Sequence, residues 1–130
     1  GKHGQLGTVE EVAKMCEIDD RIIPCLDFGH INAFSLGELN SKEKYDEIFD
    51  LFINKLGKKE IHIHFSRIEF TSKGEKKHLN LKDEAEFGPD YKEMLESLAG
   101  FDANVRVVSE SSGQQTRDSV ILKEYFKKVF

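Results

Sequence analysis

Three short apolar runs, residues 22–28 (IIPCLDF), 60–66 (EIHIHFS) and 104–111 (NVRVVSES), alternate with stretches whose apolar residues recur at three- and four-residue steps. This alternation constrains the chain more than any other feature. Short apolar runs bounded by helical periodicity read as strands. Strands separated by helices are joined by right-handed crossovers into a parallel sheet. The expected order is helix, strand, helix, strand, helix, strand, helix, an α/β fold with its helices on one side of the sheet. In such sheets, ligands gather beyond the carboxyl ends of the strands.

The helices have their own signals. Thr8 followed by Glu11 makes a capping box, and Val9, Val12, Ala13 and Cys16 form one stripe, so a helix runs from residue 8 to about 17. Ser41 starts a second helix marked by Tyr45, Ile48, Phe49, Phe52 and Leu56, and Gly57 stops it. Residues 91–98 follow Pro89 and Asp90 as a third helix. A fourth, from residue 114 to 126 or beyond, carries Val120, Ile121, Tyr125 and Val129. Residues 29–41 (GHINAFSLGELNS) read as a long loop. Within the polar stretch 67–90, EFTSKGEKKHL reads as a small hairpin turning at Gly74.

With 130 residues, 33% charged and 38% apolar, the chain is sized for one globular unit, residues 1–130. No run reaches the roughly 18 to 20 apolar residues of a membrane span, so no membrane partner is expected. The opening GKHGQLGTVEEV has no Met and no secretory pattern, and reads as the continuation of a longer protein. Cys16 and Cys25 sit beside Met15 and Leu26, a setting that suits buried thiols. Their spacing matches neither a disulfide framework nor a zinc knuckle, so a reduced, cytoplasmic setting is expected. A net charge of −5 argues against general attraction to nucleic acid, so any phosphate must be held locally.

The polar residues collect at one end of the expected sheet. Along the second strand Ile61, Ile63 and Phe65 share one face, and His62, His64 and Ser66 share the other. The first strand ends in Asp27 with His30 just beyond. The second ends in His64, the third in Glu110, and His78 lies in the stretch after the second. Two carboxylates and three imidazoles on one rim are ordinary ligands for zinc or manganese. Taken singly, each has a plainer role: Asp27 or Glu110 as a cap, His78 as part of a solvated loop, His62 as core packing. The coincidence of all three strand ends favours a metal centre. His62, one layer below His64, is a candidate to orient a ligand by a hydrogen bond. Arg67, Lys73, Lys76, Lys77 and His78 lie in a stretch long enough to suggest function. They form a local positive cluster suited either to a phosphate or carboxylate, or simply to solvent.

CLDFGH, HIHFS, KKHL and VSES, in this order and spacing, resemble the C-terminal half of endonuclease IV-like proteins, within the xylose-isomerase-like superfamily of metal-dependent TIM barrels. The resemblance covers nearly the whole chain. It implies that the three strands are barrel strands six, seven and eight. It also implies that Asp27, His64 and Glu110 hold one metal ion, with Asp27 and Glu110 at the catalytic centre, while His30 and His78 hold another. In that family, zinc ions at the rim cleave the phosphodiester beside an abasic site. Arg67, Lys76 and Lys77 would contact phosphate or substrate. Two departures stand out. Lys76 occupies the position two before His78 where the family places an Asp, so the second ion is expected to lack a carboxylate. Ser66 and Arg67 stand where the family has Asn and Asp. The superfamily offers a second activity, sugar isomerisation or epimerisation with fewer ions. A half without a complete site would be a non-catalytic structural unit. Three strands cannot close a barrel, so association with an upstream half or with a second copy is expected.

Overall fold

The computed structural model describes residues 6–82 and 86–130. The expectation that the first residues form a loop therefore lies largely outside the described residues. Helix α1 spans Val9–Ile18 and begins with the expected capping box. Thr8 Oγ1 accepts from the Glu11 N–H at 3.2 Å, and Glu11 Oε2 accepts from the Thr8 N–H at 3.0 Å. Strand β1 is confined to Cys25–Asp27, shorter than the run suggests. Pro24 has no N–H to add to a ladder, and the Asp27 side chain folds forward to accept the His30 N–H at 3.0 Å. That cap starts α2, Phe28–Phe34, inside a stretch that reads as loop. Gly29 and Asn32 are weak helix formers and obscure the pattern, yet Phe28, Gly29, Asn32 and Ala33 are its buried positions.

Helix α3, Lys42–Phe49, continues as a π-helical turn over Asp50–Lys55, and Gly57 follows at φ +67° as the expected stop. Strand β2 is Glu60–Phe65, β3 is Arg67–Thr71, β4 is Gly74–Leu79, α4 is Tyr91–Leu98, β5 is Asn104–Ser109 and α5 is Gln115–Val129. Strands β1, β2 and β5 form a parallel sheet in the order β1-β2-β5. Asp27 lies beside His64, and His64 beside Val108. Leu26, Ile61, Ile63 and Phe65 point into a core with Phe28, Tyr45, Phe49, Phe52, Met94, Leu95, Leu98 and Leu122. The parallel α/β architecture is as expected, and the sheet is open rather than closed into a barrel.

Among the described residues no helix covers the opposite face of this sheet, and the period-two pattern of strands puts Cys25, Asp27, His62, His64, Arg106 and Val108 on it. This corrects one expectation: Cys16 is buried, but Cys25 is exposed, because it points away from Leu26 and the helices. Each edge of the sheet borders an apolar groove. One of about 800 Å³ lies beside β1, between α1, α2 and α3, and one of about 460 Å³ lies beside β5, between α4 and α5. Strands β3 and β4 form the expected hairpin as a separate antiparallel pair. Its register runs Ile68 to His78, Glu69 to Lys77 and Phe70 to Glu75, which leaves Lys76 as an extra residue in a β-bulge.

Candidate metal centre

Parallel register builds the first part of the site. Asp27 and His64 are neighbours across β1 and β2. The Glu110 N–H donates to the Phe65 carbonyl at 2.9 Å, which carries the ladder one step beyond Ser109. Ser109 is buried, so Glu110 falls on the open face with His64. His64 Nδ1 lies 3.2 Å from Glu110 Oε1 and 3.8 Å from Asp27 Oδ2. The three strand-end residues converge as the sequence suggests.

The second part is built by α2 and the hairpin. His30, in the first turn of α2, sets Nδ1 2.6 Å from Asp27 Oδ2 and Nε2 2.8 Å from Glu75 Oε2. The other oxygen of Glu75 lies 3.2 Å from His78 Nε2. His78 Nδ1 in turn lies 2.8 Å from Ser66 Oγ. Carboxylates and imidazoles thus alternate along one connected row: Glu110, His64, Asp27, His30, Glu75, His78. Their side chains are 24% to 38% exposed, at the mouth of the sheet rather than in its core.

Glu75 was not legible as a site residue, and it corrects the expectation of a missing carboxylate. In a regular strand, residues three apart face opposite sides. The bulge at Lys76 adds one residue to β4 and resets the alternation, so Glu75 and His78 meet on one side. Lys76 is not set against the imidazoles. Its ammonium pairs with Glu69, and Lys77 reaches the same carboxylate at 3.5 Å. Arg67 donates from Nε to the Phe87 carbonyl at 2.6 Å. The three basic candidates for phosphate binding therefore already have protein partners. His62 shares the open face below His64, but its contact is Glu60, at 3.4 Å, not a member of the cluster.

The electrostatics follow from this row. The bond from Asp27, outweighing burial and reinforced by Glu75, raises the pKa of His30. Burial pushes the Asp27 carboxyl up, but the bonds from His30 and the charges of His30 and His64 outweigh it and lower its pKa. Burial likewise acts against the Glu75 carboxylate and is overcome by His30 and His78, so Glu75 is also lowered. The Cys25 thiol is pushed up by burial and then by the nearby Asp27 and Glu110 charges, the reverse of an activated thiolate.

The donor set could hold a metal ion. Among the described residues, two groups have donor atoms within 4.8 Å of one another: His30, Glu75 and His78, and Asp27, His30 and Glu110. Bonds of about 2.0 to 2.2 Å in tetrahedral geometry place ligand atoms about 3.3 to 3.6 Å apart. The shorter contacts here are those of groups sharing protons, and small side-chain rotations would open them to an ion. The two nitrogens of His30 face different carboxylates, and a neutral imidazole offers one lone pair. The division that uses every donor once is Asp27, His64 and Glu110 for one ion, and His30, Glu75 and His78 for another.

Comparison with known proteins adds one relative. An uncharacterized protein of Methanocaldococcus jannaschii is 37% identical over 132 residues, an alignment covering 99% of this chain and 46% of that protein. The chain thus spans about half the length of the relative it matches. No family model matches the chain, and no solved structure matches it. Among the described residues, no helix is long and apolar enough to cross a membrane.

Proposed function

We propose that the chain carries the metal-binding rim of a phosphodiester hydrolase of the endonuclease IV type. In this reading residues 1–130 are the C-terminal half of a TIM barrel, and β1, β2 and β5 are barrel strands six, seven and eight. The observations that carry it are two three-residue donor groups that share His30, together with the approach of His64 to Asp27 and Glu110. Paired ion sites recur in enzymes that displace groups at phosphorus. Ions held here would supply Lewis-acid stabilisation of charge developing on a phosphoryl oxygen. Asp27, His64 and Glu110 would hold one and His30, Glu75 and His78 the other, with zinc favoured by the three imidazoles and manganese the alternative. DNA with an abasic site is the substrate of this reading. The open edges and their apolar grooves would be covered by an upstream half or a second copy.

A second reading, a sugar isomerase or epimerase of the same superfamily, is favoured by a specific observation. Lys76 and Lys77 are held by Glu69, which leaves less free positive charge for a polyanion than the sequence suggests. A half that is non-catalytic by itself fits the open sheet. Zinc titration of the wild type and His64→Ala, followed by assays of abasic-DNA nicking and of ketose–aldose interconversion, separates these readings. The expected result is zinc uptake that His64→Ala diminishes, with no nicking by the 130 residues alone. Equal uptake by both proteins removes His64 from the site. Sugar turnover selects the second reading.

A further inference from the structure

Ser66 is the single residue between β2 and β3, where the chain leaves the parallel sheet for the hairpin. It is 1% exposed. A hydroxyl buried to that degree is costly without a hydrogen bond, and this one lies 2.8 Å from His78 Nδ1. Gly29 closes the other side. A Cβ there would sit 2.8 Å from the Ser66 carbonyl oxygen and 3.1 Å from its Oγ, so the start of α2 rests on Ser66 as only a glycine permits. The residue after Gly29 is His30. One contact therefore seats both imidazoles of the hairpin group: Gly29 brings His30 in, and Ser66 engages His78.

We propose that Ser66 is the positioning residue of the hairpin group, fixing the His78 imidazole so that Nε2 faces Glu75. The χ2 torsion of histidine is broad, and by itself it does not choose which ring nitrogen faces a partner. The bond at Nδ1 makes that choice. A hydroxyl both donates and accepts, so Ser66 can keep the ring in place in either tautomer. When Nε2 gives its lone pair to an ion, Nδ1 carries the proton and donates it to Ser66 Oγ, the arrangement that orients metal-ligating histidines generally. The orientation stands on the ion-free geometry. Its consequence for affinity rests on the metal-centre reading above.

Ser66→Ala removes the hydroxyl with little loss of volume. Nitrogen-detected NMR of the ion-free protein reads the His78 ring directly. The wild type should show a hydrogen-bonded Nδ1, and Ser66→Ala should lose that signature, with His64 unchanged. Zinc titration should show affinity at the hairpin group falling by about 10- to 100-fold and affinity at the strand-end group preserved. His78 ring signals that do not change in Ser66→Ala overturn the proposal, as does unchanged hairpin affinity in a protein that binds two ions. If the wild type binds no ion, the metal-centre reading fails, and the ring signals alone decide the role of Ser66.

Discussion

The two donor groups are neighbours built by different rules. Asp27, His64 and Glu110 stand on three strands of one parallel sheet, and strand register brings them together. His30, Glu75 and His78 come from a helix start and a bulged hairpin, and depend on a cap, a glycine contact and one extra residue. The first group is set by the register of a parallel ladder. The second is assembled from local devices, each removable by a single substitution or deletion. A contact links them, since His30 touches Asp27 on one side and Glu75 on the other.

Breaking that link should give the largest effect. His30→Ala removes a donor directly and leaves two carboxylates facing each other. Ion affinity at the hairpin group should fall by more than the roughly 100-fold that follows loss of an outer hydrogen-bond partner. The strand-end group should lose less, because His64 remains. Competition titration with a chromogenic chelator would resolve the two losses, and equal losses would show that the groups are one site.

The pH dependence of the ion-free protein comes next. His30 has a raised pKa in the folded state, so the stability from its charged form is fully present below the ordinary imidazole value of about 6.5. That stability is lost as pH rises through the raised value. Asp27 and Glu75 are lowered, so their contributions are present above about pH 4 and are lost as pH falls through the lowered values. Melting temperature measured in chelator should therefore be greatest between these limits, and His30→Gln should flatten the alkaline limb. Ion uptake should strengthen with rising pH as the imidazole gives up its proton.

Gly29→Ala tests the seat under the hairpin group. The added methyl meets backbone at 2.8 Å, and overpacking of this kind costs about 1 to 3 kcal/mol. Thermal melting should show that loss, with hairpin affinity falling more than strand-end affinity. Lys76→Ala should do least. It removes one exposed ion pair, of the kind that contributes little to stability, and should leave affinity at both groups unchanged. Tighter ion binding in that variant would mean that the lysine does face the site.

The sequence displayed the strand-end group because its logic is periodic. Ile61, Ile63 and Phe65 alternate with His62 and His64, so both the faces and the order of ends could be read. The helices over residues 91–98 and 115–129 were visible for the same reason. What escaped was local geometry against the period. The start of α2 is concealed by Gly29, whose missing side chain serves a close approach rather than helix propensity. Glu75 was hidden because alternation places it opposite His78, and a bulge leaves no mark in composition. Cys25 was misread because apolar neighbours say nothing about which face of a strand a thiol occupies.

The bulge at Lys76 has a consequence for how related chains are matched to one another. Comparing proteins column by column assumes that a functional group keeps its place in the count. Here one additional residue lets a carboxylate occupy the same region of space from a position shifted along the chain. Under the resemblance proposed above, a column-wise match would report an acid exchanged for a lysine, whereas the structure sets Glu75 beside His78 and turns Lys76 toward Glu69. Deleting Lys76 would restore the regular ladder and leave Glu75 two residues before His78, on the same side. The spacing of these side chains, as much as their identity, thus decides which of them meet in this cluster.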